Sequence, residues 1–160
     1  MAYVINENRL GQTLIGSIDA AAAVPLGTIV TASDPVYGFG EFIYLKGVAS
    51  TVLGSWVTIN MDDGSTTLLA ANAIGPVGVA MAPTVAGTFG WYQITGKAIG
   101  RVLAGYLDNA LVYGTATAGS VDDAAVAGDL VFGAKGASAT GVPGANLAEF
   151  EISRPFTTDV

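Results

Sequence analysis

The stretch from Gly75 to Val102 alternates between apolar runs and turn-forming residues in a way that predicts β-strands. It contains three apolar runs: Pro76–Met81, Gly90–Thr95 and Ala98–Val102. A tight break is expected at Gly96-Lys97, between the second run and the third. Runs of β-branched and aromatic residues bounded by Gly and Pro are typical of strands. The stretch is therefore predicted to be a meander of three strands, because no interval in it could form a helix without a Gly or Pro inside.

The strongest single strand signal is Gly40–Val48, which is apolar on both faces. Phe42 and Tyr44 alternate with Ile43 and Leu45, so each pair points to one side of the strand. Apolar residues on both faces predict burial on both sides, either by a second sheet or by a neighbouring subunit.

Strand signals continue along the rest of the chain about every ten residues, with no fixed-period repeat. Gly54–Met61 alternates in a half-buried pattern, and Asp62-Asp63-Gly64 after it predicts a hairpin turn, since Asp-Gly is a preferred hairpin dipeptide. Helix is arguable only at Ser17–Leu26, where the alanines favour it. That segment is too short to be stable alone and Pro25 ends it, so a loop or a single turn is expected.

Short strands at this spacing are typical of β-sandwiches and barrels. We therefore predict an all-β fold, a small β-sandwich or barrel with an extended N-terminal arm. Residues 1–26 are assigned to the N-terminal arm and loop, and residues 27–160 to a single β domain. A chain of 160 residues is long enough to bury roughly two-thirds of its unfolded surface.

Composition shows that the chain is unusually apolar. Hydrophobic residues make up 51% and charged residues 12% of it, whereas soluble proteins usually carry about 25% charged residues. No apolar run approaches the ~18 residues that a membrane-spanning helix needs, and the first residues lack the pattern of a secretory signal. A membrane partner is not expected. An apolar surplus of this size predicts a homo-oligomer or a protein that sits on a large partner.

Charge argues against a nucleic-acid partner. The net charge is −7 at pH 7 and the pI is about 4.1, while phosphate binding needs clustered Lys and Arg. The six basic residues are scattered instead: Arg9, Lys46, Lys97, Arg101, Lys135 and Arg154.

Cysteine and histidine are absent from the sequence, which excludes disulfides, thiolate nucleophiles, Cys/His zinc sites and Ser-His-Asp arrangements.

The remaining chemical motifs are incomplete. Asp62-Asp63 and Asp122-Asp123 lack the alternating oxygen ligands of a calcium loop. A carboxylate pair for sugar hydrolysis could be drawn from any two of the thirteen acids, so it does not discriminate. Gly90–Ala98 approaches a phosphate loop, but its glycines are one residue too far apart and Ala98 stands where a hydroxyl is needed. No catalytic, cofactor-binding or metal-binding residue is predicted, and an enzyme is not expected.

Trp56, Trp91 and Tyr92 are candidate anchors of the core or of a subunit interface, because aromatic side chains bury the most area in both places. An alternative function follows if they are exposed. They would then stack on sugar rings, in a carbohydrate-binding or tail-fibre-type module.

Several sequence segments, taken in the order in which they occur along the chain, resemble those of a known protein family. They are GEFIYLKGVAS followed by GSWVTINMDDGST, then GPVGVAMA with GTFGWYQITGKA, then VDDAAVAGD before ISRPF. The most specific of them is GWYQITGKA. In this order they resemble the head decoration (capsid cement) proteins of tailed bacteriophages, over about residues 28–156.

The resemblance implies a β-rich structural protein of the virion without catalytic activity, made in the host cytoplasm. Such a protein binds the major capsid protein on the outer surface of an expanded shell, often as a trimer, and stabilises the shell. Family members commonly reach the capsid with a flexible terminal arm. Here Met1–Leu10 would be that arm, with Tyr3, Val4 and Ile5 adding a strand to a capsid sheet edge. Pairing of this segment within its own domain is the alternative.

Overall fold

The computed structural model describes residues 1–6 and 13–160, and these form twelve β-strands and no helix. The all-β prediction is confirmed. In chain order the strands are β1 (Val4–Ile5), β2 (Ile18–Asp19), β3 (Ile29–Asp34), β4 (Gly38–Lys46), β5 (Trp56–Ile59), β6 (Thr66–Leu68), β7 (Gly75–Ala80), β8 (Phe89–Arg101), β9 (Leu111–Gly114), β10 (Val121–Asp122), β11 (Leu130–Gly136) and β12 (Leu147–Thr157).

The strands pair antiparallel in the order β1-β3-β4-β8-β7-β12-β11-β9-β10, with β2 beside β8 and the β5–β6 hairpin beside β7. Strands β7, β8 and β12 pair with one another, so the sheet forks at this point. A parallel bridge between Val102 and Val121 connects the end of β8 to β10. The strands β8, β12, β11, β9 and β10 therefore form a closed ring, the barrel-like half of the molecule.

The described residues form three hydrophobic clusters, and β8 contributes to all of them. The first joins residues of the ring strands to residues of β5 and β7, and it contains Trp56, Tyr106, Phe150 and ten further buried residues. The second lies on one face of β3, β4 and β8 and contains Trp91. The third lies on the opposite face, under the β5–β6 hairpin, and contains Tyr92.

Strand β4 is buried on both faces by its own chain. Phe42 and Tyr44 belong to the second cluster, while Ile43 and Leu45 belong to the third. The prediction of two-sided burial is therefore confirmed, and a neighbouring subunit is not needed to explain it.

The predicted break at Gly96-Lys97 is wrong, because β8 runs through it as one strand of 13 residues. Gly96 has φ +104°, a conformation that L side chains rarely adopt, and a β-carbon there would collide with the carbonyl oxygen of Phe39. Before this glycine β8 pairs with β4 and β7, and from Thr95 onwards it pairs with β12. The glycine bends the strand instead of ending it.

The N-terminal part packs on the domain where the structure describes it. Val4 and Ile5 pair with Ser33 and Ala32 of β3, the alternative in which this segment pairs within its own domain. The extended arm is not confirmed, and residues 7–10 of the predicted arm Met1–Leu10 lie outside the described residues. Between residues 17 and 26, where a loop or single turn was expected, the chain forms the two-residue strand β2 and turns.

Replacing Gly96 tests the importance of the bend. We expect Gly96→Ala to lower the free energy of unfolding by about 1–3 kcal/mol from the strained backbone conformation alone, and by more through the collision with Phe39. Urea unfolding followed by tryptophan fluorescence measures the change. Gly16→Ala is the matched control, because no atom lies within 4 Å of the position a β-carbon would take there. An equal stability of the two variants would contradict the role given to Gly96.

Candidate interaction surfaces

The acidic pairs accept hydrogen bonds within their own loop or from a neighbouring loop. Asp63 accepts hydrogen bonds from the backbone N–H and the hydroxyl of Ser65, at 2.9 and 2.6 Å, and these bonds lower the pKa of its carboxyl. Asp123 accepts from the backbone N–H of Leu107 at 3.0 Å. The predicted turn at residues 62–64 is confirmed, since this loop joins the paired strands β5 and β6.

No group of three or more acidic, His or Cys side chains that could hold a metal ion occurs within residues 1–6 and 13–160. The same residues contain no helix long and apolar enough to cross a membrane.

The three predicted aromatic anchors lie inside the chain. Trp56, Trp91 and Tyr92 are each 0% exposed, one in each hydrophobic cluster. Trp56 packs edge-on against Phe150 at 4.9 Å between ring centroids, and Trp91 packs against Tyr44 at 5.0 Å. These side chains therefore belong to the core, which is one of the two locations predicted for them. Buried in this way, they present no face on which a sugar could stack.

Tyr3 anchors the N-terminal segment. Its ring packs edge-on against Phe42 at 4.8 Å between centroids, and its hydroxyl donates to the carbonyl oxygen of Lys97 at 3.1 Å. Burial raises the pKa of Tyr3 to about 12. The side chain is therefore a fixed part of the second cluster and not a free contact residue.

Asp34 holds the same segment through its carboxylate. The carboxylate accepts hydrogen bonds from the backbone N–H groups of Ala2, Val36 and Tyr37 at 2.5, 2.7 and 2.8 Å. Burial raises the pKa of Asp34, but these donors outweigh that effect and hold the pKa below its ordinary value. The carboxylate joins the start of the chain to the turn between β3 and β4.

Strand β1 is the last strand at its end of the sheet, and no described residue pairs with its outer side. The backbone N–H of Asn6 donates to the carbonyl of Thr31 on β3 at 3.0 Å. Inward and outward hydrogen bonding alternates along an antiparallel strand, so the backbone N–H and C=O of Ile5 point outward. Val4 is 68% exposed. The structure thus leaves an open strand edge at two of the three residues predicted for capsid contact.

A second surface is an apolar groove on the face of the sheet that carries the third cluster. The groove has a volume of about 310 Å³. Isoleucines from β3, β4, β5 and β8 line it together with residues of the β5–β6 loop, β7 and β12, of which Met61, Arg154 and Phe156 are exposed. The lining residues are Ile29, Ile43, Ile59, Met61, Pro76, Val77, Ile94, Arg154, Pro155 and Phe156. We call this groove and its surrounding side chains the apolar face.

Large hydrophobic side chains on this face remain in solvent. Met61 is 60% exposed and Phe156 is 41% exposed. Phe156 pairs across the sheet with Pro76 on β7 and with Phe132 on β11. These three side chains make a row across neighbouring strands, because residues paired in register lie on the same face of a sheet. An exposed apolar patch of this kind usually marks an interaction site.

One ion pair lies beside the groove. The Arg154 guanidinium donates to the Glu41 carboxylate at 3.3 Å, and Thr95 also donates to that carboxylate, at 2.9 Å. Arg154 is the only charged residue among the ten that line the groove, and this pair balances it. An exposed pair of this kind contributes about 0–1 kcal/mol to stability, so its main effect is to leave the face electrically neutral.

Sequence patterns did not predict the apolar face. Ile29, Met61, Pro76 and Phe156 are far apart in the chain, and each looks like an ordinary strand or turn residue in its own segment. The exposed Phe156 on a strand that also buries Phe150 is the one local signal. Folding alone brings these residues together.

The comparisons with known proteins found no relatives. The sequence matches no protein-family model, and neither the curated proteins nor the solved structures contain a match to it.

The contribution of Asp34 can be tested by pH. We expect Asp34→Ala to destabilise the protein by about 1–3 kcal/mol at neutral pH, because it removes a buried carboxylate that accepts hydrogen bonds from three partly buried N–H groups. The folded-state pKa lies below the unfolded one. The stabilisation is therefore complete above the unfolded pKa and is lost as the pH falls through the lowered, folded value.

Urea unfolding of the wild type and of Asp34→Ala between about pH 6 and pH 2 measures this effect. The difference in unfolding free energy should shrink towards the acid end, and backbone exchange in residues 1–6 should rise with it. Asp62→Ala is the control, since Asp62 lies in an exposed turn and its carboxylate accepts no hydrogen bond from the described residues. A difference independent of pH would contradict the role given to the Asp34 carboxylate.

Proposed function

We propose that this chain is a structural virion protein that binds the outer surface of a tailed-phage capsid and stabilises the shell. Its partners are the major capsid protein and further copies of itself. The family resemblance implies a trimer located on the capsid surface of the virion and made in the host cytoplasm. No catalytic step, cofactor, nucleic acid or membrane is part of this proposal.

The observation that carries the proposal is the open edge at β1. A partner strand can add to such an edge through backbone hydrogen bonds, with little demand on side-chain identity. The edge is also held in place on both sides of its pairing with β3. Before the pairing, Ala2 bonds to Asp34 and Tyr3 bonds to Lys97, and after it the backbone N–H of Asn6 donates to Thr31. A preorganised edge loses little conformational entropy when a partner binds.

The affinity of each contact can be modest, because several copies bind the same shell. Two or more linked binding sites raise the overall affinity through effective concentration, by about 10²- to 10⁴-fold, without any new contact. A two-residue edge strand on each subunit is sufficient under those conditions. A single copy with one such edge would bind weakly.

The direct test uses undecorated, expanded capsids assembled from the major capsid protein encoded with this chain. Purified protein is added, and its cosedimentation with the capsids and their disruption temperature are measured. We expect saturable binding and a higher disruption temperature. Capsids that neither bind the protein nor gain stability would refute the proposed function.

Ile5→Pro tests the β1 edge itself. Proline removes the outward N–H of residue 5 and keeps the inward bonds of its neighbours. One lost hydrogen bond corresponds to about 3- to 10-fold weaker capsid binding per site. Ile5→Val is the matched control, because it trims the same side chain and keeps the N–H. Equal capsid binding by the two variants, both folded by circular dichroism, would show that the partner does not use this edge.

A further inference from the structure

The apolar face is left uncovered by the part of the chain that the structure describes, and we infer that a second copy of this chain covers it. The inference rests on the homo-oligomer of the proposed function and deepens it, by naming the surface through which the copies meet. The capsid contact at the β1 edge is a separate surface.

The electrical neutrality of the face favours a second copy of this acidic chain. The chain has a net charge of −7, so two copies repel each other over most of their surfaces. At the apolar face the charge of Arg154 is balanced by Glu41. Two acidic chains can approach most closely where neither carries excess charge. A basic partner, in contrast, would be attracted to the acidic remainder of the surface and not to this face.

The ion pair between Arg154 and Glu41 is self-complementary. Arg154 has five N–H donors, and its side chain is 60% exposed, so donors remain free after it bonds to Glu41 within the chain. When the apolar faces of neighbouring copies converge on one symmetry axis, Arg154 of one copy can reach Glu41 of the next. The same surface then supplies both partners of each new contact, as closed symmetric assemblies require.

The shape of the face also suits a second copy. Met61 and Phe156 stand at the groove, 60% and 41% exposed, and four isoleucines line the groove beside them. A large apolar side chain from a second copy finds an apolar recess beside apolar walls. Bulky anchors beside a recess are the features that dominate the binding energy of interfaces.

Light scattering coupled to size exclusion tests the inference on the purified full chain. The monomer has a mass of 16.1 kDa, and we expect the wild type to elute at two or three times that mass. The double variant Met61→Ser/Phe156→Ser should elute as a monomer at the same concentration. Leu107→Ser/Leu111→Ser is the matched control, because it removes two exposed leucines outside the face and should keep the oligomer.

A charge swap tests the ion pair independently of the apolar residues. Arg154→Glu places two acids together at the face and should raise the dissociation constant of the oligomer by about tenfold or more, because like charges facing each other at an interface repel. Glu41→Arg combined with Arg154→Glu restores one charge of each sign and should restore the oligomer. Thermal melting of each variant checks that it is folded.

Three results would overturn the inference: a monomeric wild type at 100 μM, an oligomer that survives Met61→Ser/Phe156→Ser, or an oligomer that the control pair disrupts equally.

The capsid assay distinguishes failure of this inference from failure of the proposed function. A monomer that still binds capsids refutes this inference alone, while an oligomer that requires the apolar face but ignores capsids refutes the proposed function alone. Capsid binding lost in a monomeric Met61→Ser/Phe156→Ser variant and regained when copies are joined by a linker would support both.

Discussion

The bend of β8 at Gly96 sets the arrangement of the rest of the molecule. One half of the strand pairs with β4 and β7 and the other half with β12, so a single element belongs to both the open sheet and the ring. Its side chains reach all three clusters, through Trp91, Tyr92 and Ala98. Only glycine adopts φ +104° at such a close approach without strain. A single backbone position therefore couples cores that would otherwise be independent.

The groove is a consequence of the same fork. Strand β12 pairs with β8 up to Ser153 and with β7 from Phe156 onwards, and it changes partner at Arg154, whose φ is +44°. Strand β11 has a register shift opposite this point, between Phe132 and Ala134. Where a strand changes the strand with which it pairs, its side chains cannot all pack into a single hydrophobic core. The recess and its exposed rim are the part of the third cluster that the β5–β6 hairpin does not cover.

Short-range patterns predicted the elements of this fold better than their connections. The strand class, the two-sided burial of β4 and the turn at residues 62–64 follow from alternation and from turn chemistry, which act within a few residues. The continuity of β8 does not, because a glycine that bends a strand and one that ends it look the same in sequence. The N-terminal pairing depends on Asp34, and the apolar face joins Met61 to Phe156. Those contacts are long-range, so no local window contains them.

The ion pairs bear on how large the proposed oligomer could grow. Four of the six basic residues, Lys46, Lys97, Lys135 and Arg154, bind an acid of their own chain, and the chain as a whole keeps a net charge of −7. If the proposed oligomer grew beyond a few copies, these acidic exteriors would come within a Debye length of about 8–10 Å of one another. Electrostatic repulsion thus opposes open-ended polymers and precipitation. Because salt screens this repulsion, the ionic strength would determine how closely copies can pack beside one another.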